Sequence, residues 1–148
     1  MAQTLVDVLA HVVFSTKSRV PLILPEYEEE LYRRAGAIAR TMSSCCVAMN
    51  GTSDHVHMLV SMSKKVALAD LVREVKKGTS RWMTQAVVAR FGWQDGYAGF
   101  SVGRSDVDAV IRYIGRQKEH HRAVSFEEEY ERIVRQHDIE FDPAYLFG

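Results

Sequence analysis

Residues 45–62 read CCVAMNGTSDHVHMLVSM, two short apolar runs on either side of the polar segment 50–54. An Asn-Gly pair at the start of such a segment is a typical signal for a β-hairpin. We therefore predict antiparallel neighbouring strands over 45–49 and 55–62. This hairpin supplies two neighbouring strands of an antiparallel sheet. The rest of the chain must supply the strands that extend the sheet and the helices that cover it.

The residues before the hairpin predict one strand and one helix. Residues 6–16 are rich in β-branched side chains, which favour a strand. Pro25 suits the first position of a helix, and the acidic residues that follow it suit a helix N-terminus. Apolar residues at helical spacing extend this helix to about residue 42.

The residues after the hairpin predict three helices and a fourth strand. Helical periodicity covers 67–91, and a glycine-rich loop then leads into a strand over 97–102. Ser105 and Ser125 are expected N-caps for helices that run to about residues 122 and 137.

The order of these elements predicts an α+β fold over 1–148 as a single domain, with its C-terminal helix at about 125–138. One antiparallel sheet is covered by helices in a ferredoxin-like or RRM-like sandwich. Sheets of this kind also serve as nucleic-acid platforms.

The composition is that of an ordinary globular protein, with 47% hydrophobic and 26% charged residues among 148. Disorder and collagen-like structure are excluded, and no apolar run approaches the roughly 20 residues of a membrane-spanning helix. We expect a soluble cytoplasmic protein. Cys45 and Cys46 are adjacent, which disfavours a mutual disulfide, so we expect buried reduced thiols.

Formal neutrality hides an uneven distribution of charge. The chain has 19 basic and 19 acidic residues, but residues 64–122 carry twelve basic and six acidic ones. Residues 123–148 carry two basic and seven acidic residues. A basic middle is typical of a chain that binds a polyanion, although an unevenly charged solvated surface explains the same pattern.

His55 and His57 lie two residues apart on a predicted strand, so both imidazoles point to one face of the sheet. Imidazole is the commonest metal ligand in proteins, and two of them could hold a divalent ion that still accepts substrate oxygens. A hydrogen-bonded histidine pair without a metal is the other interpretation, and the spacing alone leaves both open.

The predicted helix over 105–122 carries a second group of polar residues. Its apolar stripe, which we expect to pack on the sheet, consists of Val107, Val110, Ile111 and Ile114. Tyr113 and Gln117 are one turn apart on a flank of that stripe, and His120 falls on the same flank. His121 lies closer to the stripe. A tyrosine at a packing edge is otherwise an ordinary amphipathic core residue.

Five motifs together resemble a known family. They are HVVFSTKSR at 11–19, DHVH at 54–57, KKG at 76–78, FSV at 100–102 and YIGRQ at 113–117, with two histidines just after. In this combination the chain resembles the IS200/IS605-like transposases, single-tyrosine enzymes of the HUH endonuclease class. The resemblance covers most of the chain.

The resemblance implies an active site. His55 and His57 would bind a divalent metal, Mg²⁺ or Mn²⁺, with Gln117 as third ligand and Tyr113 as nucleophile. The tyrosine oxygen would displace a 3′-hydroxyl and leave a 5′-phosphotyrosine, which a free 3′-hydroxyl could later attack. The sequence names no dedicated base. His120 could be one, or it could instead lie behind the ligands or contact DNA.

The resemblance also implies partners. The substrate would be single-stranded DNA with hairpins at the ends of a mobile element, and the protein would be a homodimer, as family members are, in which the His pair of one subunit works with the tyrosine of the other. The sequence itself does not say which subunit supplies that tyrosine. The expected DNA-binding residues are Lys64, Lys65, Arg73, Lys76, Lys77, Arg81, Trp82, Arg104, Arg112 and Arg116.

Two other functions fit parts of the pattern. A non-catalytic descendant of the same fold would only bind structured DNA or RNA. A hydrolase of small phosphoesters would use His55 and His57 without Tyr113. The basic middle segment suits a polymer better than a small ester.

Overall fold

The computed structural model describes residues 2–148 and contains one four-stranded antiparallel sheet. Its strands are β1 (Leu9–Ser15), β2 (Cys45–Gly51), β3 (His55–Ser61) and β4 (Ala98–Val102), in the order β2-β3-β1-β4. The predicted hairpin is confirmed, since β2 and β3 pair from Cys45 with Ser61 to Gly51 with Val56. The α+β sandwich is confirmed as well.

Helices α1 (Pro25–Thr41) and α2 (Leu68–Ala86) pack on one face of the sheet. The strands direct alternate apolar side chains to this face, among them Val12, Val56 and Met58. A Cβ at Gly78 would lie 2.5 Å from the end of the Ile38 side chain, so a larger residue there would require Ile38 to change its position between α1 and α2.

Helices α3 (Val107–Gly115), α4 (Gln117–His120) and α5 (Phe126–Gln136) follow β4 and lie toward the other face. Ile114 packs with Leu9 and Leu59, and the remaining residues of the predicted stripe pack around them, as predicted. A second cluster joins Phe100 of β4 to α5. Both histidines of β3 face this side, between the two clusters.

The predicted helix over 105–122 is wrong in detail. It is interrupted at Arg116, whose φ of −101° and ψ of 15° are not helical, so that α3 and α4 are separate. Ser105 is not an N-cap, because it lies within a 3₁₀ turn at Arg104–Asp106 that precedes α3. Ser125 does cap α5, with its hydroxyl oxygen accepting from the Glu128 amide at 3.2 Å.

Two other predictions need correction. Helix α2 ends at Ala86 rather than near residue 91, because the Val88 amide donates to the Met83 carbonyl, five residues back, instead of continuing the helical pattern. Cys45 is exposed rather than buried, since β2 is an edge strand, while Cys46 is half-buried. Both thiols are free. Within residues 2–148, no helix is long and apolar enough to cross a membrane.

Candidate active site

The histidine pair of β3 is fully buried on the face of the sheet that α3 and α5 cover. His55 and His57 have no exposed surface, and their ring centroids lie 5.2 Å apart. Val56 points to the opposite face and packs in the core with α1 and α2. The predicted common orientation of the two imidazoles is therefore confirmed.

Because the helix is interrupted at Arg116, the side chain of Gln117 points toward the sheet. Gln117 is fully buried, and its Oε1 lies 3.0 Å from His55 Nε2. Asn50 of β2 holds the end of α3 at this point, with its amide donating to the carbonyls of Ile114 at 3.0 Å and Gly115 at 3.3 Å. Lys118 donates in turn to Asn50 Oδ1 at 2.9 Å. The hairpin thus fixes the position of α3 relative to the histidines.

The centre of the site is Glu129 of α5, a residue that sequence reasoning missed. Its side chain is fully buried. Glu129 Oε1 lies 2.9 Å from His57 Nε2, 2.9 Å from His121 Nε2 and 3.5 Å from His55 Nε2. Three imidazole nitrogens therefore converge on one carboxylate oxygen.

The second oxygen of Glu129 contacts the other predicted residues. Glu129 Oε2 accepts a hydrogen bond from Gln117 Nε2 at 3.0 Å and another from the Tyr113 hydroxyl. His120 is close, with its Nε2 3.4 Å from this oxygen, but that nitrogen has no hydrogen-bond partner among the described residues. One carboxylate thus joins the metal-ligand candidates to the nucleophile candidate.

The buried charges have opposite signs. Burial opposes ionisation of Glu129, but hydrogen bonds from His121, His55 and His57 outweigh it and hold the Glu129 pKa well below its usual range. Burial also disfavours a charged His55, yet hydrogen bonds to Asp54, Glu129 and Gln117 raise its pKa to about 9. The site therefore holds a carboxylate beside an imidazolium at neutral pH.

His57 and Tyr113 are uncharged at neutral pH. Burial lowers the pKa of His57 to about 4, against the attraction of Glu129. Burial and the hydrogen bond to Glu129 both raise the pKa of Tyr113 above its usual value. The Tyr113 ring lies 5.7 Å from the His57 ring of the same chain. The hydroxyl is therefore a hydrogen-bond donor that must lose its proton to act as a nucleophile.

The donor set fits a divalent cation. Ligand atoms of His55, His57, His121 and Glu129 all lie within 4.8 Å of one another. Imidazole nitrogens and a carboxylate oxygen are common ligands of Mn²⁺ and Zn²⁺ in proteins. Gln117 lies beside this set through its contact with His55. Nothing in the sequence distinguishes Glu129, because it lies in an acidic run that also suits an ordinary helix N-terminus.

The predicted DNA-binding residues lie in several separate parts of the structure. Those of α2 lie on the opposite side of the sheet from the histidines, and Arg73, Lys77 and Arg81 are exposed there. Lys64 and Lys65 are exposed in the loop before α2. Arg112 and Arg116 are near the site, where they line a cavity of about 500 Å³ together with Tyr113 and His120.

Four of these residues have partners within the chain, and one of them is Arg73, whose guanidinium pairs with the Asp70 carboxylate at 3.0 Å. The Lys76 ammonium donates to the carbonyls of Gln94 at 2.9 Å and Gly96 at 2.5 Å. The Arg34 guanidinium covers the Trp82 ring at 4.9 Å from its centroid. Arg104 forms an ion pair with Asp7. For Lys76 the partners are half-buried main-chain oxygens, so its position suits a structural role rather than a contact with phosphate.

The solved structures that this chain resembles over its length include two transposases. A candidate transposase from Deinococcus radiodurans R1 has a TM-score of 0.64 and 21% identity, covering 79% of this chain and 95% of that one. A REP-associated tyrosine transposase bound to a REP hairpin has a TM-score of 0.63 and 16% identity, covering 84% of this chain and 74% of that one. At these identities the likeness establishes the fold.

The sequence itself gives the family. A search of curated proteins finds no match. Residues 4–117 match the family described as IS200-like transposase, a range that includes both histidines of β3, Tyr113 and Gln117 and ends before His121 and Glu129. The match covers well over half of the chain, which therefore belongs to the IS200-like transposase family.

Proposed function

We propose that this protein cleaves and rejoins single-stranded DNA by transesterification through Tyr113. One observation carries the proposal: the Tyr113 hydroxyl, the His57 imidazole and the Gln117 amide all contact the same buried carboxylate, Glu129. A reactive hydroxyl, a set of metal ligands and a proton acceptor are the groups that such a reaction needs.

The metal would be held by the two histidines of β3, with Glu129 and His121 as further ligands and Gln117 Oε1 beside them. When bound, a divalent cation polarises the scissile phosphate and offsets the charge that builds on its oxygens. This assignment keeps His55, His57 and Gln117 from the family resemblance. It adds two ligands from the part of the chain beyond the family match.

Glu129 would take the proton of the nucleophile. The Tyr113 hydroxyl already donates to Glu129 Oε2, which meets the geometric requirement for a general base, although the lowered pKa of Glu129 makes it a weak one in the metal-free protein. The tyrosine oxygen then bonds to phosphorus, and the bond from phosphorus to the 3′-oxygen breaks. That oxygen takes a proton from water, and the proton held by Glu129 returns to the hydroxide that is left. His120, the base considered from the sequence, does not contact the hydroxyl and would instead support Glu129.

The proposed substrate is DNA with a hairpin, because the similar REP-associated tyrosine transposase is bound to a REP hairpin in its solved structure. Arg112 and Arg116 beside Tyr113 would bind the backbone phosphates next to the cleavage point. All the groups named here come from one chain, so we propose that each subunit of the expected homodimer carries a complete site.

The test uses single-stranded DNA made from the flanks of the gene, incubated with the protein and Mn²⁺. We expect a covalent adduct that resists denaturant and is absent for Tyr113→Phe. Tyr145→Phe is the matched control, since Tyr145 is 78% exposed and far from the histidines in sequence. An adduct that persists in Tyr113→Phe would overturn the assignment.

Binding without cleavage is the second candidate function. It is favoured by the raised pKa of Tyr113, whose hydroxyl is held as a donor by Glu129. DNA binding with no strand cleavage in Mn²⁺, Mg²⁺ or Zn²⁺ would establish it.

A further inference from the structure

We propose that His11 is a positioning residue that holds His57 by a hydrogen bond in either of its tautomers and thereby supports the metal affinity of the site. The inference rests on the proposed function, because it assigns His11 a role toward a metal bound by His57. His11 belongs to β1, the neighbour of β3 in the sheet.

The contact between the two residues is direct. His11 Nε2 lies 2.8 Å from His57 Nδ1, and the two rings stack with centroids 5.0 Å apart and planes 29° apart. His11 is buried, and its ring is also 6.2 Å from that of Tyr113. Among the described residues, His11 is the only hydrogen-bond partner of His57 Nδ1.

The other nitrogen of His57 faces the proposed metal position. His57 Nε2 lies 2.9 Å from Glu129 Oε1, and a neutral imidazole carries a single proton. In the metal-free protein the contact with a carboxylate requires that proton on Nε2. His57 Nδ1 is then an acceptor, and His11 Nε2 must donate to it.

A metal reverses these roles. A histidine that binds a metal through Nε2 uses its lone pair there, so its proton must be on Nδ1. His57 Nδ1 would then donate to His11 Nε2, and the proton of His11 would lie on its own Nδ1. Each ring keeps one proton, and only the nitrogen that carries it changes.

This reversal explains why the partner is a histidine. A carboxylate or a main-chain carbonyl only accepts hydrogen bonds, so it would suit the metal-bound form alone. An imidazole at position 11 donates in one form and accepts in the other. Its ring also fixes the orientation of His57 by stacking. Partners of this kind behind a metal ligand contribute tenfold to hundredfold to metal affinity.

The experiment titrates DNA-free protein with Mn²⁺ and measures affinity by calorimetry. We expect His11→Phe, which keeps a ring and removes the hydrogen bond, to weaken Mn²⁺ binding about tenfold to hundredfold. His11→Gln, whose amide can donate or accept at the same position, should stay within about threefold of the wild type. His137→Phe is the matched control, an exposed histidine that packs on Phe100.

Equal Mn²⁺ affinity in wild type and His11→Phe would overturn the inference and leave the proposed function standing. A wild type that forms the DNA adduct without binding Mn²⁺ would overturn the metal assignment, and this inference with it. Nitrogen NMR of ¹⁵N-histidine-labelled wild-type protein supplies a readout without any variant. We expect the His57 proton on Nε2 without metal and on Nδ1 with Zn²⁺, and no change between the two would also overturn the inference.

Discussion

The Tyr113 hydroxyl donates a hydrogen bond to Glu129, although the two residues belong to different helices and lie 16 positions apart. The same carboxylate contacts His57 and His121 through its other oxygen. Glu129 therefore connects the two halves of the proposed chemistry, the nucleophile and the metal ligands, and it is the first residue to test.

Replacing Glu129 with Gln should slow adduct formation by Tyr113 at least about a hundredfold. About a hundredfold is the lower end of the rate contribution of a general base. An amide cannot take the hydroxyl proton and is a poorer metal ligand. The measurement is adduct yield against time, with Glu128→Gln as the control because Glu128 is exposed on the same helix. A faster reaction in Glu129→Gln would contradict the base and show that this carboxylate restrains the tyrosine.

The site should bind Mn²⁺ more tightly than Mg²⁺. Three of its four candidate ligands are imidazoles, whereas Mg²⁺ prefers oxygen ligands and keeps several waters. Competition calorimetry on DNA-free protein measures the ratio. His121→Ala should weaken Mn²⁺ binding and change Mg²⁺ binding much less. Equal affinities of the wild type for the two ions would show that the imidazoles are not ligands.

The metal-free protein should be most stable near pH 6.5. The pKa of His55 is raised to about 9, so its contribution to the free energy of unfolding is full below about 6.5 and is lost as pH rises through 9. The pKa of His57 is lowered to about 4, so its contribution is lost as pH falls from 6.5 through 4.

Thermal unfolding in a chelator across pH 4–9 measures this profile. Asp54→Asn should move the alkaline loss to lower pH, because the hydrogen bond to Asp54 is the strongest of the interactions that raise the His55 pKa. If Asp54→Asn and the wild type lose thermal stability over the same alkaline pH range, the loss is not due to His55.

Arginines beside Tyr113 should contribute to DNA binding more than Lys76 does. Replacing Arg112 and Arg116 with Ala should weaken binding and reduce the salt dependence of the binding constant by about two phosphate contacts. Lys76→Ala should instead lower the melting temperature, because three carbonyl oxygens would lose their ammonium partner. Lys77→Ala, an exposed neighbour, is the control for stability. An Arg112 and Arg116 variant with unchanged salt dependence would remove both residues from the interface.

The sequence predicts those parts of the molecule that depend on local chemistry. The Asn50-Gly51 turn and the alternation along β3 identify the hairpin and the common face of His55 and His57. The apolar stripe of α3 likewise places Tyr113 at the edge of the interface between α3 and the sheet. Each of these follows from the spacing of residues within one element.

The parts that the sequence does not predict depend on contacts between distant segments. Glu129 meets His57 across 72 positions, and nothing within α5 separates it from the acidic residues before it. In the sequence Lys76 does not differ from the other basic residues of α2. Its burial depends on the loop at 94–96, whose carbonyls accept hydrogen bonds from its ammonium. The interruption at Arg116 depends on Asn50, which is 64 positions from the Ile114 carbonyl that it holds.

The amide of Asn50 has a consequence for the mechanics of the site. It ties the end of α3, the helix that carries Tyr113, to the same β-hairpin that carries His55 and His57. A movement of β2 and β3 would therefore carry the end of α3 along with the two histidines.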